Sequence, residues 1–480
     1  MELISSLLES VWSLLGAASW LVEPLLKIVF VLAILLGFAP ILTWAERRQS
    51  AMMQDRVGPY KAGFPMPAFV MDAVPKAALG ALAVSVITGV TGIGCFLAMV
   101  LFHMADEVLF PFTYGTTFFL CLVLSPAHYV AYKILPTLFE DNRLTVYGLL
   151  HPAADALKAF WKEDFIPPRG DKLLFALAPM IAVFPAFATF AVIPFGPTVY
   201  WEHLFQPLPD GGDLGVSSVL QVASINVGIL YMFAIAGTGI VGAAIAGYSS
   251  DNKYALLGGL RAASQMVSYE VTLGLSLVGC FMVYDTLLLS DMVTWQIDHV
   301  WGILVQPLAF VLFFVASIAE YKRVPFDVPE GESEIVAGYF LEYSSGKWLI
   351  FMTGEFVEVV VSSALIATVF LGGYDVPFLT PHGWEAFGWR FDLAASDVAL
   401  LREFHVISDV LNSHIAVVLT QIGAFLVKMA ALCWLSLQVR WTMPRFRYDQ
   451  VMQLCWKIML PASLLNVLVT GILILFFQEL

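Results

Sequence analysis

Ten apolar segments, each close to the roughly 20 residues a helix needs to cross a hydrocarbon core, run through this chain. They lie near 22–45, 77–104, 110–132, 173–196, 219–247, 255–284, 301–320, 348–372, 412–439 and 456–478. Within lipid each backbone polar group must be satisfied inside its own segment, so runs this long and apolar are expected to be helices. The expected fold is an all-α polytopic membrane protein, one integral domain over 1–480. Composition agrees: 13% of residues are charged, against about 25% in a soluble domain. The first apolar segment is too long for a signal peptide and lacks the basic start and small-residue cleavage site of one.

Lysine and arginine set the orientation. Connections 46–76, 133–172, 248–261, 320–347 and 428–457, with their bordering helix ends, hold 21 of the 24 basic residues. Lys27, Arg390 and Arg402 lie on the other side. Positive charge marks the cytoplasmic face, so both termini are expected outside, on the periplasmic side of a bacterial inner membrane.

Several familiar chemistries are excluded. The net charge of −14 and the scattered basic residues argue against nucleic acid. Five cysteines without a CxxC pair, and eight histidines without ligand spacing, give no metal site. The string "GTGIVG" matches a dinucleotide fingerprint formally but sits inside an apolar run, not at a strand-to-helix turn. Gly239, Ala243 and Gly247 fall four apart there, the small-residue spacing that lets membrane helices approach closely. No Walker loop, HExxH or GxSxG occurs.

Two cytoplasmic connections carry pattern. Leu149, Leu150, Ala153, Leu157, Phe160 and Trp161 recur at helical spacing, predicting an amphipathic surface helix over 147–165 that Pro167–Pro168 ends. The stretch 319–343, "AEYKRVPFDVPEGESEIVAGYFLEY", collects six carboxylates beside Lys322 and Arg323. Further acids, Glu270, Glu355 and Glu358, fall within apolar segments, where each costs roughly 2.5–3.5 kcal/mol at a helix centre. The plain alternative gives each acid a basic partner, as Glu320 with Arg323 on the next turn, whereas Glu270 has no basic residue one turn away. Like charges close together in a low dielectric cannot all ionise, so such a row can share and pass protons.

The stretch 319–343 resembles the acidic loop of the H subunit of the proton-pumping NADH:quinone oxidoreductases, the respiratory complex I family. "AERRQSAMMQDRVGP" is similar to the family's first loop, "GLLHPAADALKAFWKED" to its surface helix, "LLGGLRAASQMVSYE" to a central helix and "RWTMPRFRYDQVMQLCWKIMLP" to the entry of its last span. The resemblance implies a translocase component without a redox centre or bound cofactor, with quinone as substrate and FMN and iron–sulfur clusters in partner subunits. It implies partners in the hydrophilic arm, docked at the cytoplasmic loops with help from Arg445 and Asp449, and in small and antiporter-like membrane subunits. Glu46, Arg47, Arg56, Asp155, Lys158 and Arg323 would line or support the quinone site. Glu320, Asp327, Glu330, Glu332, Glu334 and Glu342, in the loop 320–347, would form an acidic funnel that Glu270 and Glu355 continue into the membrane.

The chain also departs from that pattern. The family's first loop, here 46–76, normally leads almost directly to the surface helix, whereas 77–132 here reads as an additional transmembrane hairpin. Tyr60, His151 and Tyr321–Lys322 replace the family's usual Asn, Gln and Thr–Asn. The loop 373–411 is read as an outer cap. A related complex with another donor or acceptor, such as a membrane-bound hydrogenase, is disfavoured by "VPEGESE"; a stand-alone proton transporter by the lack of an inverted repeat. A purely structural anchor leaves the membrane acids unexplained.

Overall fold

The structure, a computed structural model, describes residues 2–59, 62–65, 81–88, 91, 125–126, 128–130, 139–140, 143–144, 146–201, 217–381, 383–386, 389–390 and 412–478. The side chains of residues 2–21, Glu332 and Ser333 are outside that description. Most of the expected segments 77–104 and 110–132, residues 391–411 of the outer loop 373–411, and Tyr60 also lie outside it.

Among the described residues seven helices are long and apolar enough to cross a membrane, and an eighth is shorter. The long first helix, α1 (Glu2–Met53), extends beyond the apolar run at both ends. The surface helix α2 (His151–Trp161) is followed by α3 (Lys172–Thr189), α4 (Gly228–Ser249) and α5 (Lys253–Tyr284). Next come α6 (Leu289–Asp298), α7 (Pro307–Glu320), α8 (Ser345–Phe370) and α9 (His414–Thr442). The last span is α10 (Tyr448–Gln453), a π turn (Leu454–Met459) and α11 (Leu460–Gln478). Short antiparallel strands close some connections: Phe64–Pro65 and Phe139–Glu140 pair on either side of Arg143–Leu144, and Thr198–Tyr200 pairs with Ser217–Val219.

Caps and small residues explain much of this layout. Asp171 accepts from Leu173 N (3.0 Å) and Leu174 N (3.2 Å), starting α3. Asn252 does the same for α5 through Tyr254 N at 2.9 Å. Glycines in and after "GTGIVG" serve packing: a Cβ on Gly242 would meet Ala182 N of α3 at 2.5 Å, and one on Gly247 would meet Ala255 O of α5 at 2.6 Å. The core centres on α8, whose side chains from Val359 to Phe370 are nearly all buried.

Three expectations need adjustment. The surface helix ends at Trp161, before Pro167–Pro168, because Ser344 Oγ takes Phe165 N (3.2 Å) and donates to Glu163 O (3.0 Å), holding that segment in non-helical contacts. The span 301–320 is interrupted at Gln306, so its continuous helix begins at Pro307. Gln306 instead donates to Thr470 Oγ1 (2.8 Å) and accepts from Asn466 Nδ2 (3.1 Å), a polar link to α11. Lys428, expected with the cytoplasmic connection 428–457, reaches the C-terminal end of α8, away from the acidic loop.

Candidate functional site

The acidic loop is seated on α5 by backbone contact. A Cβ on Gly258 would lie 2.6 Å from Gly338 Cα and from Tyr339 N. Gly338 itself adopts φ +55°, and a side chain there would run into Pro329 O. The loop therefore lies closer to α5 than any other residue pair would permit. Gln265 of α5 holds its base, donating to Ala319 O and Phe326 O, both at 2.8 Å. After α7 ends at Glu320, Lys322 takes a left-handed conformation (φ 57°) that turns the chain.

That turn decides the ion pairs. Arg323 does not sit one helical turn beyond Glu320, so the plain alternative of a Glu320–Arg323 pair is not realised. Arg323 instead reaches Glu46 of α1 at 3.0 Å and Glu355 of α8 at 3.9 Å, with its guanidinium 3.9 Å above the Phe356 ring. Glu46 also accepts from Arg440 of α9 at 2.7 Å. Lys322 pairs with Glu358 at 3.6 Å. The two acids three apart on α8 thus meet two successive cations of the loop. Burial disfavours the charged form of Lys322, but Glu358, Glu355 and Glu320 outweigh it and raise the pKa of its ammonium.

Deeper in the bundle, Glu270, Glu320 and Glu358 share one cavity of about 100 Å³ between α3, α4, α5, α7 and α8. That volume has room for about three waters. Thr189, Ser317 and Ser362 add hydroxyls to an otherwise apolar lining. One oxygen of Glu320 is buried without a hydrogen bond among the described residues. Gly237 makes space for Glu270, since a Cβ there would stand 2.9 Å from its Oε1.

The remaining predicted residues divide. Asp327 is buried and bonds Arg445 at 2.6 Å, which turns Arg445 inward. Burial first, and then Glu330, push Asp327 up to about 7 against the pull of Arg445. Glu334 pairs with Arg261 of α5 at 2.6 Å, and Glu342 accepts from Asn252 at 2.8 Å, so both lean on α5 and neither lines the cavity. Arg47 meets Asp155 of α2 at 2.6 Å, tying α1 to the surface helix. Arg56 bonds locally to Gln54 and Ser50, and Lys158 is exposed. Asp449 is held by Arg447. His151 accepts from Ala62 N at 3.2 Å, joining the first loop to α2. Among the described residues no group of three or more His, Cys, Asp or Glu could hold a metal ion.

Arg440, Arg261 and Gly237 were not singled out from sequence. Arg440 and Arg261 were visible as basic residues near helix ends, but their partners lie far away along the chain.

Comparison with known proteins shows the family. The family model described as NADH dehydrogenase matches residues 140–471, a match that begins after the unusual segment 77–132. The first NADH-quinone oxidoreductase H subunit of Geobacter sulfurreducens is 39% identical over 359 residues, covering 74% of this chain and 92% of that protein. The first H subunit of Cytophaga hutchinsonii is 38% identical over 364 residues, with 75% and 95% covered. The H subunit of Thermomicrobium roseum is 40% identical over 340 residues, with 69% and 84% covered. The chain belongs to the NADH dehydrogenase family, among the H subunits of NADH-quinone oxidoreductase, the membrane components of respiratory complex I.

Proposed function

We propose that this chain forms the quinone-access chamber of its complex at the end of the bundle bounded by α1, α2 and the acidic loop, and starts a proton path from there into the membrane. The acidic loop and the ion pairs beside it face the cytoplasm, where the hydrophilic arm with FMN and iron–sulfur clusters docks; the termini lie outside. Quinone enters near Arg47, Arg56, Asp155 and Lys158 and meets Glu46 and Arg323.

The observation that carries the reading is a continuous run of charge from surface to interior: Arg440–Glu46–Arg323–Glu355, then Lys322–Glu358, then the cavity with Glu320 and Glu270. Reducing a quinone places negative charge beside Arg323 and draws protons. Because Arg323 is shared between Glu46 and Glu355, any demand on it changes how well Glu355 is compensated, and Glu358 next to it follows. Protons gained or lost there pass to Glu320 and Glu270 through the cavity, whose hydroxyls and space for water complete the relay. Asp327, Glu334 and Glu342 hold the loop and, with Glu330 and Glu332, supply protons from its cytoplasmic side.

Replacing Glu355 with Gln tests this in assembled complex. NADH:quinone turnover is expected to fall about tenfold or more, the size of a lost proton-transfer step, while NADH oxidation by an artificial acceptor stays normal. Normal quinone turnover with normal proton uptake would remove Glu355 from the path.

A further inference from the structure

Lys428 stands in the interior of α9, where a cation needs a reason. Its Nζ lies 2.7 Å from Leu371 O, 3.1 Å from Gly373 O and 2.6 Å from Asp375 O, the carbonyls that follow the last turn of α8. Three acceptors require three N–H donors, which only the charged ammonium has. The ammonium also sits 4.5 Å from the Trp301 ring centre. The nearby acid Asp375 points an oxygen to the indole, accepting from Trp301 Nε1 at 2.8 Å. A charged lysine is therefore fixed on backbone carbonyls, with no carboxylate bonded to it among the described residues.

Its place on α8 gives that charge a role. The same helix carries Glu355 and Glu358 near its middle, and about 20 Å of helix separates Glu358 from Leu371 at the usual rise per residue. Between them the side chains are buried, and the hydroxyls of Ser362 and Thr368 bond back to carbonyls of their own helix. Gln296 seals the same end, donating to Thr368 O and accepting from Gly302 N and Gly372 N. Gln296 and Tyr284 cap the last turn through Thr368 O and Val369 O, and Lys428 serves the carbonyls beyond it; its fixed positive charge adds an electrostatic obstacle to a proton.

Resting on the proposed proton path, we infer that Lys428 is a barrier charge that closes the outer end of the acid-bearing helix, so that protons held at Glu270, Glu320 and Glu358 do not leak to the outer face. The test uses purified complex in liposomes. Passive proton entry under an imposed potassium diffusion potential is measured without NADH, beside turnover and protons moved per NADH. Lys428→Met is expected to raise the passive leak roughly threefold or more with quinone turnover retained. Lys428→Gln, which still donates hydrogen bonds, is expected to leak likewise and serves if the Met variant does not assemble. Lys428→Arg keeps the charge and stays tight. Adding Glu270→Gln to the leaking variant is expected to remove the extra leak. An unchanged leak in the uncharged variants overturns the barrier, and so does a raised leak that Glu270→Gln leaves in place. Failure of the proton path itself would show separately, as normal pumping in Glu270→Gln alone.

Discussion

Glu46 takes a guanidinium from the acidic loop and another from α9, at 3.0 and 2.7 Å. Removing either leaves a poorly compensated acid beside the chamber. Arg440→Gln is expected to destabilise the complex by about 1–3 kcal/mol, less than for a fully buried pair because its side chain is partly exposed. Adding Glu46→Gln should then cost little more, because the acid that lost its partner is gone; additive losses in thermal stability would contradict the shared pairing. Asp327 gives a second test at this scale. Burial and Glu330 raise its pKa from the ordinary 3.8 to about 7, so the folded protein holds a proton that the unfolded chain releases. Stability from this group is present at low pH and is lost as pH rises from about 4 to about 7. Asp327→Asn should flatten that part of a thermal-stability profile. A profile with the same slope would show that Asp327 does not titrate there.

Among the elements, α5 bears the acidic loop, and the Gly258–Gly338 approach fixes their spacing. Gly258→Ala must push the loop backbone away, at about 1–3 kcal/mol for overpacking. The ion pairs of Lys322 and Arg323 depend on that seat, so quinone reduction is expected to drop several-fold while reduction of an artificial acceptor holds. Equal rates in both assays would mean that the loop tolerates the shift. Sequence alone located α5, α8 and α9 well, because an apolar run of spanning length admits one kind of structure, but it placed the start of α4 nine residues early and the end of α3 seven residues late. It misjudged the end of α2 and the start of α7, since Ser344 and the Gln306–Asn466–Thr470 group decide those boundaries from elsewhere in the chain. In "GTGIVG" spacing identified packing glycines, but not that Gly237 accommodates Glu270.

Across the whole molecule, the acids of the sequence separate into groups with different surroundings. Glu46 and Glu355 share Arg323; Glu270, Glu320 and Glu358 meet in the cavity; Glu334 and Glu342 lean on α5. The sequence marked these residues through the energetic cost of acids in apolar surroundings and through the family's loop. It could not sort them, because the sorting depends on the left-handed turn at Lys322 and on which helices meet. The central claim is that charge at the chamber is linked to protons at Glu270. The most direct measurement is the number of protons moved per NADH oxidised by complex carrying Glu270→Gln, with assembly matched by artificial-acceptor activity. Loss of proton movement, with or without loss of quinone turnover, is the result predicted. Normal turnover with the normal proton yield would contradict the account and leave the cavity acids without a part in coupling.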